Sequence, residues 1–126
     1  MKHILLVEDE EQLVEIVATV LESEGYEVRK SYTAEEALRQ FPQYHPDLII
    51  SDMKMGKMDG FTLFEKVRSE RDSGKVPFIF LTALDDSSTR QKAQALGATA
   101  YITKPFDVDE LVRVVKTVLV PSPTQS

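Results

Sequence analysis

DLIISDMKMGKMDGF, residues 47–61, holds the pattern on which the fold turns. Its apolar run Leu48–Ile50 is short and continuous, leads into Asp52, and gives way after Gly60 to Phe61, Phe64 and Val67 at helical spacing. A brief run of branched residues marks a strand covered on both faces, and the 3.6-residue period after it marks a helix laying one stripe onto a core.

The same unit repeats on either side. Toward the N-terminus, Ile4–Val7 is a second buried strand, followed by Leu13, Ile16, Val17, Val20 and Leu21 at helical spacing, with Gly25 as the stop. Tyr26–Lys30 alternates, with Tyr26 and Val28 on one face, as an edge strand does. Thr33 and Glu36 form a capping-box signature ahead of Ala34, Ala37, Leu38 and Phe41. Toward the C-terminus come the strand Phe78–Leu81, a polar helical stretch Asp86–Leu96 and the weaker strand Ala100–Ile102. The last helix is capped by Asp107 with Glu110 and striped by Leu111, Val115, Val118 and Leu119. The stretch Asp86–Leu96 offers only Ala93, Ala95 and Leu96 to a core, which makes it a candidate mobile element.

Strand–helix alternation five times over predicts an α/β fold. The expected architecture is a five-stranded parallel sheet of flavodoxin-like order 2-1-3-4-5, with five helices on both faces and right-handed crossovers. Residues 1–120 read as one domain, and 121–126, made of Pro, Ser, Thr and Gln, as a linker or disordered tail.

Composition narrows the function. Of 126 residues, 42% are hydrophobic, enough for one self-sufficient core. There is no cysteine, which excludes disulfides, thiolate metal sites and thiol catalysis. The only imidazoles, His3 and His45, stand alone in their segments, which argues against zinc. A net charge of −6 argues against direct nucleic-acid binding, while leaving room for an acidic regulatory module joined to a DNA-binding one. No apolar run reaches the length of a membrane span, and Ile4–Val7 is too brief for a signal-peptide core, so the expected location is the cytoplasm.

In an open parallel sheet, ligands gather at the carboxyl ends of the strands, where strand order reverses. Strand one runs into Glu8 and Asp9, strand three into Asp52, strand four into Thr82, and strand five into Thr103-Lys104-Pro105. Three carboxylates in one pocket repel one another unless a cation lies among them. Hard oxygen donors without imidazole or thiolate favour Mg²⁺ or Mn²⁺ over zinc. A carboxylate beside such an ion can attack phosphorus and become an aspartyl phosphate. Lys104 would then neutralise the phosphoryl group, and Thr82 would donate its hydroxyl to a phosphate oxygen. Taken singly, each residue has an ordinary explanation. The acids Glu8–Glu11 suit a helix start, Asp52 suits a turn after a strand, Lys104 suits solvent, and Tyr101 suits a half-exposed aromatic position. Their convergence on one edge of one sheet favours a shared site.

With these residues in view, the chain resembles the receiver domains of bacterial two-component response regulators from Lys2 to about Leu119. The segments ILLVEDE, DLIISDMKMGKMDGF, PFIFLTA and GATAYITKPF carry the likeness by their order and spacing. The resemblance implies a signalling switch rather than an enzyme with turnover, one that assists only its own phosphorylation and dephosphorylation. A sensor histidine kinase, a phosphotransfer protein or a small phosphodonor would supply the phosphoryl group, and an output domain or partner protein would respond. By the resemblance, Asp52 is the phosphoacceptor, Asp9 and Asp52 bind Mg²⁺, Glu8 acts on it through water, and the Lys54 backbone carbonyl is a further ligand. Lys104 contacts the phosphoryl group, its peptide bond to Pro105 is cis, and the backbone of Lys54 and the amide of Ala83 border the phosphoryl group. Thr82 and Tyr101 are the switch pair, and the surface that moves is the fourth helix, fifth strand and fifth helix, through which phosphorylation-dependent homodimerisation would run.

Some positions depart from the family pattern. Gly56 stands where proline is usual, and Ala98-Thr99-Ala100 lacks the acidic pair of the winged-helix transcription-factor class. Lys54 and Leu84 occupy positions that tune dephosphorylation in the family. Three other readings compete. A haloacid-dehalogenase-type phosphatase wants a second acid two residues after its nucleophile, where this chain has Lys54. A flavodoxin-like cofactor binder wants a hydroxyl- and glycine-rich loop after strand one, where Val7–Glu11 would repel phosphate. A degenerate receiver serving only as a docking module would not need the intact acids and Lys104.

Overall fold

The computed structural model describes residues 1–53, 59–69, 75–83 and 87–120, with the side chains of Thr82, Ala83, Ser87, Thr89, Arg90, Ala93 and Leu96 outside that description. Lys54, Gly56, Leu84 and the 121–126 tail lie outside the described residues as well. All five strand–helix units form: β1 (His3–Val7), α1 (Glu11–Ser23), β2 (Glu27–Ser31), α2 (Ala34–Tyr44), β3 (Leu48–Asp52), α3 (Gly60–Arg68), β4 (Phe78–Ala83), α4 (Ser87–Leu96), β5 (Ala100–Lys104) and α5 (Val108–Leu119). The strands pair in parallel in the order β2-β1-β3-β4-β5, the order expected from the sequence.

The central strands are apolar at nearly every position because both faces are covered. Leu5, Val7, Ile49, Phe78 and Phe80 point to one side, against Ala37 and Phe41 of α2 and Leu63, Phe64 and Val67 of α3. Ile4, Leu6, Leu48, Ile50, Ile79 and Leu81 point to the other, against Val14, Val17 and Leu21 of α1 and Leu111 and Val115 of α5. Alternate residues of a strand face opposite ways, so a continuous apolar run feeds two cores at once. Each such side chain contributes about 1.5–3 kcal/mol by leaving water. α4 packs beside β4 and β5, and the Lys92 ammonium lies 4.4 Å over the Phe61 ring of α3.

Helix starts follow the capping chemistry. Thr33 accepts from the Glu36 N–H at 3.0 Å, but Glu36 reaches back to the Tyr32 N–H at 2.8 Å, one residue beyond the usual box. Asp107 accepts from the Asp109 N–H at 2.9 Å. Asp59 caps α3 by accepting from the Thr62 N–H at 2.8 Å.

Two helical expectations need correction. Ile16 is 52% exposed, and Val14 and Ala18 take the buried places with Val17 and Leu21. At about 100° per residue, positions 14, 17, 18 and 21 share one stripe and Ile16 falls nearly opposite. Ala95 is exposed and gives α4 no core contact. The strands also run further than their apolar segments. β3 takes in Ser51 and Asp52, β4 takes in Thr82 and Ala83, and β5 takes in Thr103 and Lys104. Ladder hydrogen bonds use the backbone and are indifferent to side-chain polarity. Among the described residues, no helix is long and apolar enough to cross a membrane.

Candidate functional site

Strand order reverses between β1 and β3, and the polar ends of β1, β3 and β5 meet at the carboxyl edge beside that point. Glu8 follows β1, its N–H donating to the Ser31 carbonyl at 3.0 Å, and its side chain is only 1% exposed. One of its carboxylate oxygens accepts from the Glu10 N–H at 3.0 Å, and the other accepts from Lys104 Nζ at 2.8 Å. The same ammonium lies 3.1 Å from Asp52 Oδ2, at the end of β3. Asp9 is exposed, and one oxygen from each of Glu8, Asp9 and Asp52 falls within a 4.8 Å span. Three carboxylates against one ammonium leave two negative charges when all are ionised. That donor set, hard oxygens only, fits a small divalent cation such as Mg²⁺.

Burial pushes the Glu8 carboxyl above its ordinary value and the nearby Asp52 charge adds to this, against the pull of Lys104 and the Glu10 N–H. Burial also works against the Lys104 ammonium, but the Glu8 hydrogen bond and the Asp52 charge outweigh it and lift Lys104 above its usual range. Lys104 is therefore held as a cation beside the two buried acids.

Other expected residues fall around this centre. The backbones of Thr82 and Ala83 end β4, opposite Thr103 and Lys104, while their side chains lie outside the description. Lys54 and Leu84 lie outside the described residues. The Lys104–Pro105 peptide is cis. Tyr101 is half-buried on β5, and its hydroxyl accepts from Gln94 Nε2 of α4 at 3.2 Å. Sequence reasoning passed over Gln94. A glutamine in a polar helix carries no local mark, and only the packing of α4 beside β5 brings it to Tyr101.

The model of the response regulator receiver domain family matches residues 4–116. The chain belongs to that family. As a receiver domain of two-component response regulators it is a signalling module, not an enzyme of the usual kind. It is 41% identical to the ycf27 protein of Porphyridium aerugineum over 118 residues, covering 94% of this chain and 48% of that protein. It is 33% identical to the DNA-binding dual master transcriptional regulator RpaA of Synechocystis sp. over 119 residues, covering 94% of this chain and 49% of RpaA. The receiver domain thus spans about half the length of these curated relatives. The solved structure of chemotaxis response regulator CheY4 of Vibrio cholerae superposes with a TM-score of 0.88 at 32% identity, covering 94% of this chain and 99% of that one.

Proposed function

We propose that this domain, residues 1–120, is a phosphorylation-dependent switch whose phosphoacceptor is Asp52, with 121–126 a linker or disordered tail. The observation that carries the reading is the seat of the Asp52 carboxylate: 3.1 Å from the Lys104 ammonium and within the 4.8 Å span shared with Glu8 and Asp9. Asp9 and Asp52 would hold Mg²⁺ or Mn²⁺ directly, Glu8 through water, and the Lys54 carbonyl as a further ligand. When bound, the ion supplies neutralisation of the phosphoryl oxygens.

An Asp52 carboxylate oxygen forms the new O–P bond as the donor's P–N or P–O bond breaks, and the donor's leaving atom keeps the bonding electron pair. The donor is a histidine kinase, a phosphotransfer protein or a small phosphodonor. Lys104 contacts one oxygen of the arriving group, and the backbone of Lys54 and the Ala83 amide border others. These residues position and neutralise, which is most of what phosphoryl transfer asks of a protein.

The output is a population shift. Thr82 moves toward the phosphoryl group, the Tyr101 ring turns inward, and α4, β5 and α5 present a changed face to an output domain, a partner protein or a second phosphorylated copy. A net charge of −6 supports control of an output rather than nucleic-acid binding by this domain, and the place of action is the cytoplasm. Intact mass after incubation with acetyl phosphate and Mg²⁺ tests the proposal. A gain of one phosphoryl group, blocked by EDTA and absent in Asp52→Asn, is expected. Folded parent protein that gains nothing, even from a phosphoramidate donor, would leave docking without phosphorylation as the better reading.

A further inference from the structure

We infer that Gly60 is a positioning residue for Asp52: the bare Cα at the first turn of α3 lets that turn seat on the backbone of the phosphoacceptor. The inference rests on the assignment of Asp52 above.

A Cβ at Gly60 would fall inside van der Waals contact with the Asp52 carbonyl oxygen, 3.0 Å from Met53 Cα and 3.2 Å from the Phe80 ring. Two of these neighbours are backbone, which has no rotamer by which to yield. The Gly60 N–H donates to the Met53 carbonyl at 2.8 Å, clamping α3 to the residue after Asp52. Asp52 has no room to retreat, because it sits opposite Leu81 in the ladder and the Met53 N–H donates to the Leu81 carbonyl at 2.9 Å. Its carbonyl also accepts the Ser51 hydroxyl at 2.9 Å. Phe80 is fully buried and wedged among Phe61, Phe64 and Phe78, with ring centroids 4.9–5.7 Å apart.

A methyl group at position 60 therefore has two outlets. It pushes the start of α3 away from β3, or it turns the end of β3. Either one moves the Asp52 carboxylate relative to Lys104 and to its partner acids. Gly25 and Gly97 differ in kind: their φ angles of +95° and +91° require glycine, but a Cβ there meets nothing within 4 Å. At Gly60 the requirement is space beside the reacting residue.

Displacing a reacting group by about an ångström costs up to about a hundredfold in rate. The test compares the parent with Gly60→Ala and, as a matched structural control, Gly25→Ala. Each is checked for folding by circular dichroism, then measured for Mg²⁺ affinity by amide NMR shifts and for initial phosphoryl uptake from acetyl phosphate at saturating Mg²⁺. Gly60→Ala is expected to lose about tenfold or more in both Mg²⁺ affinity and uptake rate, while Gly25→Ala loses stability and keeps both. A folded Gly60→Ala with parental Mg²⁺ affinity and rate overturns the inference. If Gly60→Ala does not fold, Asp59→Ala decides, because it loosens the α3 cap without adding a Cβ. A drop in uptake with the fold retained supports positioning, and an unchanged rate overturns it. A parent that takes up no phosphoryl group sinks the Asp52 assignment instead, and the Mg²⁺ arm still decides whether Gly60 positions the carboxylate.

Discussion

Lys104 and Glu8 stand 96 positions apart in the chain and 2.8 Å apart in space. Glu8 is sealed off with 1% of its side chain exposed, while Lys104 keeps 28%, so the ammonium reaches in from the rim to a carboxylate with no access to water. The same ammonium spans to Asp52, which makes Lys104 the neutralising partner for both buried acids of the cluster.

Lys104→Met takes the ammonium away from between Glu8 and Asp52. Removing one partner of a buried pair costs several kcal/mol, and about 3 kcal/mol is expected here because Lys104 is partly solvated. Urea unfolding of Lys104→Met and of the double variant with Glu8→Gln measures it. The double variant should recover more than half of the loss. Equal losses in the two would mean that the Glu8 charge is tolerated without its partner. Mg²⁺ should bind Lys104→Met more tightly than the parent, since a competing cation is gone, while phosphoryl uptake falls.

The Gln94–Tyr101 hydrogen bond ties to α4 the ring that we propose turns inward on phosphorylation. Gln94→Leu removes the donor without altering helix propensity much. A hydrogen bond of this kind is worth about 0.5–1 kcal/mol, so affinity for the phosphoryl mimic beryllium trifluoride should rise about two- to fivefold. Titration followed by the amide signals of β5 reads this. Unchanged affinity would show that Tyr101 turns without regard to Gln94.

Tyr44, whose ring lies against His3 at the start of β1, provides a pH test outside the Glu8–Asp9–Asp52 cluster. Burial first, then the Glu27 carboxylate and the hydrogen bond to Glu27, hold its phenol above the ordinary value of 10.0. The folded state prefers the neutral ring, so its contribution is complete below pH 10 and is lost as pH rises above that. Between pH 8 and pH 11 the parent should lose about 1.4 kcal/mol that Tyr44→Phe does not. Denaturant unfolding of both proteins at the two pH values checks this. A gap between them that stays constant would contradict it.

Strand identity was legible wherever both faces are buried. Ile4–Val7, Leu48–Ile50 and Phe78–Leu81 are apolar throughout because each successive side chain enters a different core. The same signal stopped short at the functional edge, where Ser51, Asp52, Thr103 and Lys104 continue the ladder with polar side chains. Ile16 misled for a related reason. Leu13, Ile16, Val17, Val20 and Leu21 make one helical stripe as well as Val14, Val17, Ala18 and Leu21 make another, and only the direction of the sheet decides which is covered.

The residue types at the site, and their expected gathering at one sheet edge, followed from local pattern and the rule that parallel strands bind at their carboxyl ends. These are one-dimensional facts: period, length and the polarity of the residue that ends each run. Which of the neighbouring acids Glu8 and Asp9 is buried, which oxygen Lys104 meets, that Gln94 touches Tyr101, and that Gly60 rests on Asp52 came from packing alone. Each is a contact between segments distant in the chain, set by sheet twist and helix seating. A single sequence carries no local propensity that would encode it.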